Sequence, residues 1–355
     1  MENMEYESQR LIERALALQA TDLHLHPAKN QTLLLYRIHG RLRRMAVMNQ
    51  RYSERLIAHF KFRAGMDIGE QRRPQNGSIS LNNTTPPVHL RFSTMPSSLR
   101  ESLAVRLLPQ HEFFTLSSLS FAPAVVSCFS SLLDGKNGII MLTGPTGSGK
   151  TTTLYAFMNE LIHRYSSRIV SIEDPIEIHD EAFIQSEVND KAGMTYEELL
   201  KSSLRHDPDV LMIGEIRDER TAYLAVRAAL TGHLVLTTMH AGTPFGAVHR
   251  LLEFGFSTTD LKETLLCITS QELFPRYCPL CRKQPCDIYC RRHQQASRTA
   301  LFDILTSRGL DDFLTGQTSS ALTFTKTEQW KKGNSLGLFQ NERKESSYVR
   351  TGNMA

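Results

Sequence analysis

The sequence has no run of about 18 consecutive apolar residues, which excludes a membrane-spanning helix. Its first residues, Met1-Glu-Asn-Met-Glu-Tyr-Glu7, hold no apolar stretch, so they do not read as a signal peptide. The expectation is a cytoplasmic protein that reaches a membrane only through a partner. Charge of one sign is also scarce. Lys and Arg number 41 against 37 Asp and Glu, for a net charge of +4. No basic run interleaved with aromatics occurs, so no direct nucleic-acid partner is expected. Cysteine is sparse, with six in 355 residues. In a reducing compartment these read as thiols or metal ligands rather than disulfides.

What is present is ordinary globular material, 41% hydrophobic and 22% charged. A chain of 355 residues exceeds one usual core, so two or three domains are expected. Residues 5–20 have apolar residues at helical spacing. Short strand-like runs follow at 22–26, 32–38, 78–81 and 88–92, broken by turn signals. A helix over 53–64, with Ser53 as N-cap, lies among them. These features predict a small α+β domain over 1–110. The Ser-rich stretch 115–120 falls in a predicted linker, 111–122.

Beyond it strands alternate with helices, the pattern of an α/β fold with a largely parallel sheet. Strands are predicted at 138–142, 168–172, 210–213 and 234–238. Helices are predicted at 150–163, 196–204 and 220–230. This P-loop domain is expected over 123–265. A mostly helical region over 266–324 should follow, then a polar, partly disordered tail over 325–355.

The segment Gly144-Pro-Thr-Gly-Ser-Gly-Lys-Thr151 fits the phosphate-loop pattern at every fixed position, between a predicted strand and a predicted helix. The glycines let backbone N–H groups turn toward phosphates, and the helix N-terminus adds a positive dipole end. Gly144, Pro145, Thr146, Gly147, Ser148, Gly149, Lys150, Thr151 and Thr152 are therefore the expected ATP-binding residues. Lys150 should reach the β- and γ-phosphates, and the Thr151 hydroxyl should coordinate Mg²⁺.

Val210-Leu-Met-Ile-Gly-Glu215 delivers a carboxylate at a strand end, where ligands sit in open α/β sheets. Gly214 stands where many P-loop enzymes keep an aspartate, so Glu215 is left either to orient the attacking water or to reach Mg²⁺ indirectly. Ile172-Glu-Asp-Pro-Ile-Glu-Ile-His179 brings Glu173, Asp174 and Glu177 past another strand, either as a solvated loop or as catalytic acids. His233 and His240 flank the strand 234–238. Each is either an ordinary histidine or, at the ligand edge, a γ-phosphate sensor.

Together these segments resemble the ATPases of the secretion and type IV pilus family. Residues 144–151 look like its Walker A, 172–179 like its Asp box, 211–218 like its atypical Walker B and 231–240 like its His box. Segments 21–27, 66–77, 91–96 and 105–108 are similar to the family's PAS-like N-terminal domain. The resemblance implies a RecA-like ATPase core and catalytic roles for Glu173, Glu177, Glu215, Arg217 and His240. It also implies that Arg91 and Arg106 close over the nucleotide, where the alternative is that both form only surface ion pairs. The family implies a homo-hexamer working on the cytoplasmic face of the cell membrane with a polytopic inner-membrane platform protein. Length, the segment 251–255 and the compact cysteine cluster look most like its competence members, which power a pseudopilus for DNA uptake. Pilus retraction, type II secretion and direct action on DNA remain the alternatives. The spacing Cys278-x2-Cys281-x4-Cys286-x3-Cys290 suits either Zn²⁺ or reduced thiols.

Overall fold

The computed structural model describes residues 4–38, 40–81, 84, 87–109, 115–135, 137–189, 192–278, 298–316 and 321–339. They fall into two compact units, Met1–Glu112 with Cys278–Gln295, and Phe113–Tyr277 with Ala296–Ala355.

The first unit runs α1 (Met4–Ala17), β1 (Ala20–Pro27), β2 (Gln31–Ile38), β3 (Arg41–Asn49), α2 (Gln50–Arg63), β4 (Gln75–Leu81), β5 (Val88–Met95) and β6 (Ser102–Pro109). Its strands form one antiparallel sheet in the order β3-β2-β1-β6-β5-β4. Alternation puts Leu23, Leu25, Leu34, Tyr36, Phe92 and Val105 on the face that packs against Leu11, Ile12, Leu56 and Phe60 of the two helices. Tyr36 donates from its hydroxyl to the Leu11 carbonyl at 2.8 Å, and burial pushes its pKa up to about 12. Two predictions needed revision. β3 carries Arg41, Arg43 and Arg44 without apolar alternation, because it is an exposed edge strand whose charges discourage further pairing. The N-cap of α2 is Asn49, not Ser53; Ser53 is buried and shares a hydrogen bond with Thr32.

The second unit runs α3 (Leu116–Leu119), α4 (Pro123–Leu133), β7 (Gly138–Thr143), α5 (Lys150–Tyr165), β8 (Ile169–Glu173), β9 (Ile184–Glu187), α6 (Tyr196–Ser203), β10 (Val210–Ile216), α7 (Glu219–Leu230), β11 (Leu234–Met239), α8 (Pro244–Glu253), α9 (Thr258–Thr264), β12 (Leu265–Pro275), β13 (Arg298–Thr306), α10 (Ser307–Leu314) and α11 (Lys326–Ser335). The sheet order is β13-β12-β7-β11-β10-β8-β9. All neighbours are parallel except β12 and β13. β7, β8 and β11 are buried along their whole length, as expected of parallel strands covered on both faces.

Three boundaries differ from the sequence reading. The Ser-rich stretch is not simply a linker, because Leu116 and Leu119 of α3 are buried in the core of this unit. The expected helical region over 266–324 contains two long strands. Leu265–Ser270 is buried on both faces apart from half-buried Leu266, so it lacks the alternation that marks a strand. The polar segment from Thr325 opens with helix α11. Thr325 caps it by accepting from Glu328 N–H, and buried Gln329 bonds both backbone groups of Phe302.

Candidate functional site

β7, β8, β10 and β11 are neighbours or near neighbours in the sheet and run the same way. Their C-terminal ends therefore open on one edge, where α/β sheets hold ligands. The phosphate loop leaves β7 there, the acidic segment leaves β8, Glu215 lies near the end of β10, and His240 follows β11. His233 precedes β11 and so lies at the opposite edge. Its ring bonds the Ala228 carbonyl at 3.0 Å, an ordinary tether to the end of α7.

The loop ends on Gly149, at φ 90°, which only glycine adopts without strain, and α5 begins at Lys150. Lys150 Nζ donates to the carbonyls of Gly144 at 2.9 Å and Pro145 at 3.1 Å. Burial lowers its pKa, opposed by the nearby charges of Glu215 and Glu177. Thr151 and Thr152 are half-buried on the first turn of α5.

Glu215 is held from two sides. Arg217 Nε approaches it at 3.1 Å and His240 Nε2 at 3.2 Å. Arg217 also donates to Asp174 at 3.0 Å, which ties the β8 loop to the β10 end. Arg250 of α8 donates to the carbonyls of His240 at 3.1 Å and Arg217 at 3.3 Å. Sequence reasoning missed Arg250, since nothing marks one arginine of an amphipathic helix. It named Asp174 in the acidic segment, as a solvated or a catalytic acid, but not as the partner of Arg217.

Gly214 has a steric cause. A Cβ there would meet the Ile172 carbonyl and the Tyr196 hydroxyl at 3.3 Å, and Glu173 Cα at 3.4 Å. An aspartate would have to push β8 aside. Thr238 fixes the same stretch of β10 by donating to the Gly214 carbonyl at 2.7 Å.

Glu173 differs from Asp174 and Glu177 in being buried. It is 3% exposed, and its Oε1 accepts from Tyr155 and Ser171 at 2.9 Å and from Gln185 at 3.4 Å. Burial raises its pKa above the ordinary 4.5, more than these donors lower it. A carboxyl raised on folding lends stability that is fully present below about 4.5 and is lost as pH rises through the raised value. Glu173→Gln keeps the Oε1 acceptor and cannot ionise. Its thermal midpoint should therefore gain on wild type as pH climbs above 4.5. A difference independent of pH, measured by calorimetry, would contradict this account.

Arg91 and Arg106 belong to the first unit and face each other across β5 and β6. Arg106 Nε donates to Asp22 at 3.0 Å. Of the cysteine cluster, Cys278 is described and buried, whereas Cys281, Cys286 and Cys290 lie outside the described residues. Among the described residues no group of three metal-ligating side chains gathers.

The residues fit a nucleotide and its cation. A glycine loop with positive φ at Gly144, Gly147 and Gly149 meets a helix N-terminus, the buried Ser148 hydroxyl has no hydrogen-bond partner among the described residues, and Lys150 and Glu215 lie at the same sheet edge.

The family model for type II/IV secretion system proteins matches residues 2–341. Competence protein ComGA of Halalkalibacterium halodurans is 46% identical over 90% of this chain and 92% of its own length. ComGA of Bacillus subtilis is 42% identical over 87% of each. Type II secretion system protein E of Klebsiella pneumoniae is 40% identical over 77% of this chain but only 55% of that protein. Two solved structures share the fold. The Legionella pneumophila ATPase DotB has a TM-score of 0.75 at 20% identity, covering 97% of this chain and 95% of its own. The pilus retraction motor PilT with bound ADP has a TM-score of 0.70 at 24% identity, covering 96% of this chain and 98% of its own.

Proposed function

The chain belongs to the type II/IV secretion system protein family, and from that premise we propose that it is an ATP-hydrolysing motor that drives assembly of a type IV pilus-like competence pseudopilus for DNA uptake. The observation that carries the enzymatic part is that the phosphate loop and Glu215 share one sheet edge, with the Glu215 carboxylate held by Arg217 at 3.1 Å and His240 at 3.2 Å. The competence assignment rests on the two ComGA relatives, which match this chain nearly end to end.

In this reading the loop 144–151 binds the phosphates of ATP, with Lys150 leaving the loop carbonyls for the β- and γ-phosphates. Thr151 and the acid edge would hold Mg²⁺, which neutralises phosphate charge when bound. Glu215 accepts the proton of the attacking water, and Glu177 shares the acid edge with it. His240 and Arg217 keep the Glu215 carboxylate aimed, and Asp174 steadies Arg217. Glu173 supports the loop from the interior, so Glu173→Gln should keep most ATP turnover. Arg91 and Arg106, on the PAS-like unit, supply positive charge to the γ-phosphate when the units close, and Arg106 exchanges Asp22 for phosphate. Differential affinity of the open and closed states for ATP and ADP gives the motion direction.

The working form would be a ring of six copies at the cytoplasmic face of the membrane, pushing on a polytopic platform protein. No helix among the described residues is long and apolar enough to cross a membrane itself. Lys150→Ala should weaken ATP affinity by about 10- to 100-fold, the worth of one charge-assisted contact, and stop turnover. Equal turnover in wild type and Lys150→Ala would reject the enzyme. In cells, Lys150→Ala should abolish surface fibres and DNA uptake together. Loss of fibre retraction with fibres intact would assign the chain to retraction instead, and loss of protein export alone to secretion.

A further inference from the structure

Gln271 plays no part in the mechanism above. It lies on β12, more than 110 residues from the loop in sequence, and is 2% exposed. Its side chain spends one end on the phosphate loop and the other on α5. Nε2 donates to the Ser148 carbonyl at 2.8 Å, and Oε1 accepts from the Thr153 hydroxyl at 2.9 Å. One amide thus ties the residue before the last loop glycine to the first turn of α5. Two loop glycines also face it. A Cβ at Gly144 would lie 2.5 Å from the Gln271 carbonyl, and one at Gly149 would lie 2.9 Å from Nε2.

A trans peptide is planar, with C=O and N–H opposed. Drawing the Ser148 carbonyl toward Gln271 therefore turns the Gly149 N–H away from β12. We propose that Gln271 is a positioning residue for nucleotide binding, which aims the Gly149 N–H of the phosphate loop by holding the Ser148 carbonyl. The inference rests on the ATP-binding reading of this loop. Gln271 touches no substrate in this account, and its effect passes through the loop backbone.

Backbone N–H groups of such a loop hold phosphates that ATP and ADP share, so the contact serves ground and transition states alike. Losing it should raise KM and the ADP Kd more than it lowers kcat. Three full-length variants test this. Gln271→Met keeps side-chain length and removes both hydrogen bonds. Gln271→Glu keeps the acceptor for Thr153 and sets an oxygen against the Ser148 carbonyl. Thr153→Val cuts only the other tether. Expected are an ADP Kd and ATP KM raised about tenfold in both Gln271 variants and about threefold in Thr153→Val, with kcat reduced less than KM is raised. ADP binding is read by titration calorimetry, alongside the thermal midpoint without nucleotide. If the Gln271 variants lose thermal stability while ADP affinity stays within twofold of wild type, the role is merely structural and the inference fails. Should Gln271→Met not fold, Gln271→Glu and Thr153→Val decide the matter by the same criterion. A wild-type protein that binds no ADP would sink the nucleotide reading and this inference with it. Wild-type binding matched by unchanged variants would sink this inference alone.

Discussion

Glu215→Gln is expected to cut ATP turnover about a thousandfold, the usual weight of a positioned general base, with ADP affinity close to wild type. Gln has the shape of Glu; its one oxygen still accepts from Arg217, and its NH2 donates to His240 Nε2 when that nitrogen carries no proton, so the scaffold of Arg217, Asp174 and Arg250 should persist. What goes is the negative charge that takes a proton from water and opposes Lys150. The comparison with Glu173→Gln is decisive. Both change one carboxylate to an amide near the same sheet edge. Only Glu215 stands among Arg217, His240 and Lys150, whereas Glu173 is sealed under Tyr155. Steady-state rates at saturating ATP should separate the two variants by at least two orders of magnitude. Similar rates would mean that Glu215 is not the base.

The largest stability effect is expected at the ion pair of Lys61 and Glu101 in the first unit. Lys61 is 1% exposed, and its Nζ lies 3.0 Å from Glu101 and donates to the Glu70 carbonyl. Glu101→Ala leaves a buried ammonium with no counter-charge, which should cost about 3–5 kcal/mol. A domain near 100 residues shifts its midpoint by about 4–8 °C per kcal/mol, so this unit should lose some 15 °C or more. The double variant Lys61→Met with Glu101→Leu should recover most of the loss, since a packed apolar pair often replaces a buried ion pair without penalty. A loss below about 1 kcal/mol in Glu101→Ala would show that water reaches the pair.

The phosphate loop was legible because its information is local. A strand, three glycines and a lysine follow one another over residues 138–150 and run straight into a helix, and steric rules act within that span. The same holds for the ends of β8, β10 and β11, each marked by an apolar run closing on a polar group. The failures were of the opposite kind. β12 is buried on both faces along most of its first half, so no alternation marks it, and the segment passes for helix. β3 is an edge strand whose first half is basic, and its apolar residues Met45, Ala46, Val47 and Met48 run together rather than alternate.

The sequence by itself determined that a phosphate loop, two acidic strand ends and a histidine occur in one α/β unit. Only the tertiary structure decided which acids belong together. Glu173 and Glu177 are four residues apart, yet one is buried under Tyr155 and the other is exposed. Strand order alone decided that Gln271 grips a loop more than 110 residues away. The physical reason is that backbone preferences act over a few residues, whereas burial and charge act across space. Which groups face one another is then fixed by how strands pair and helices cover them.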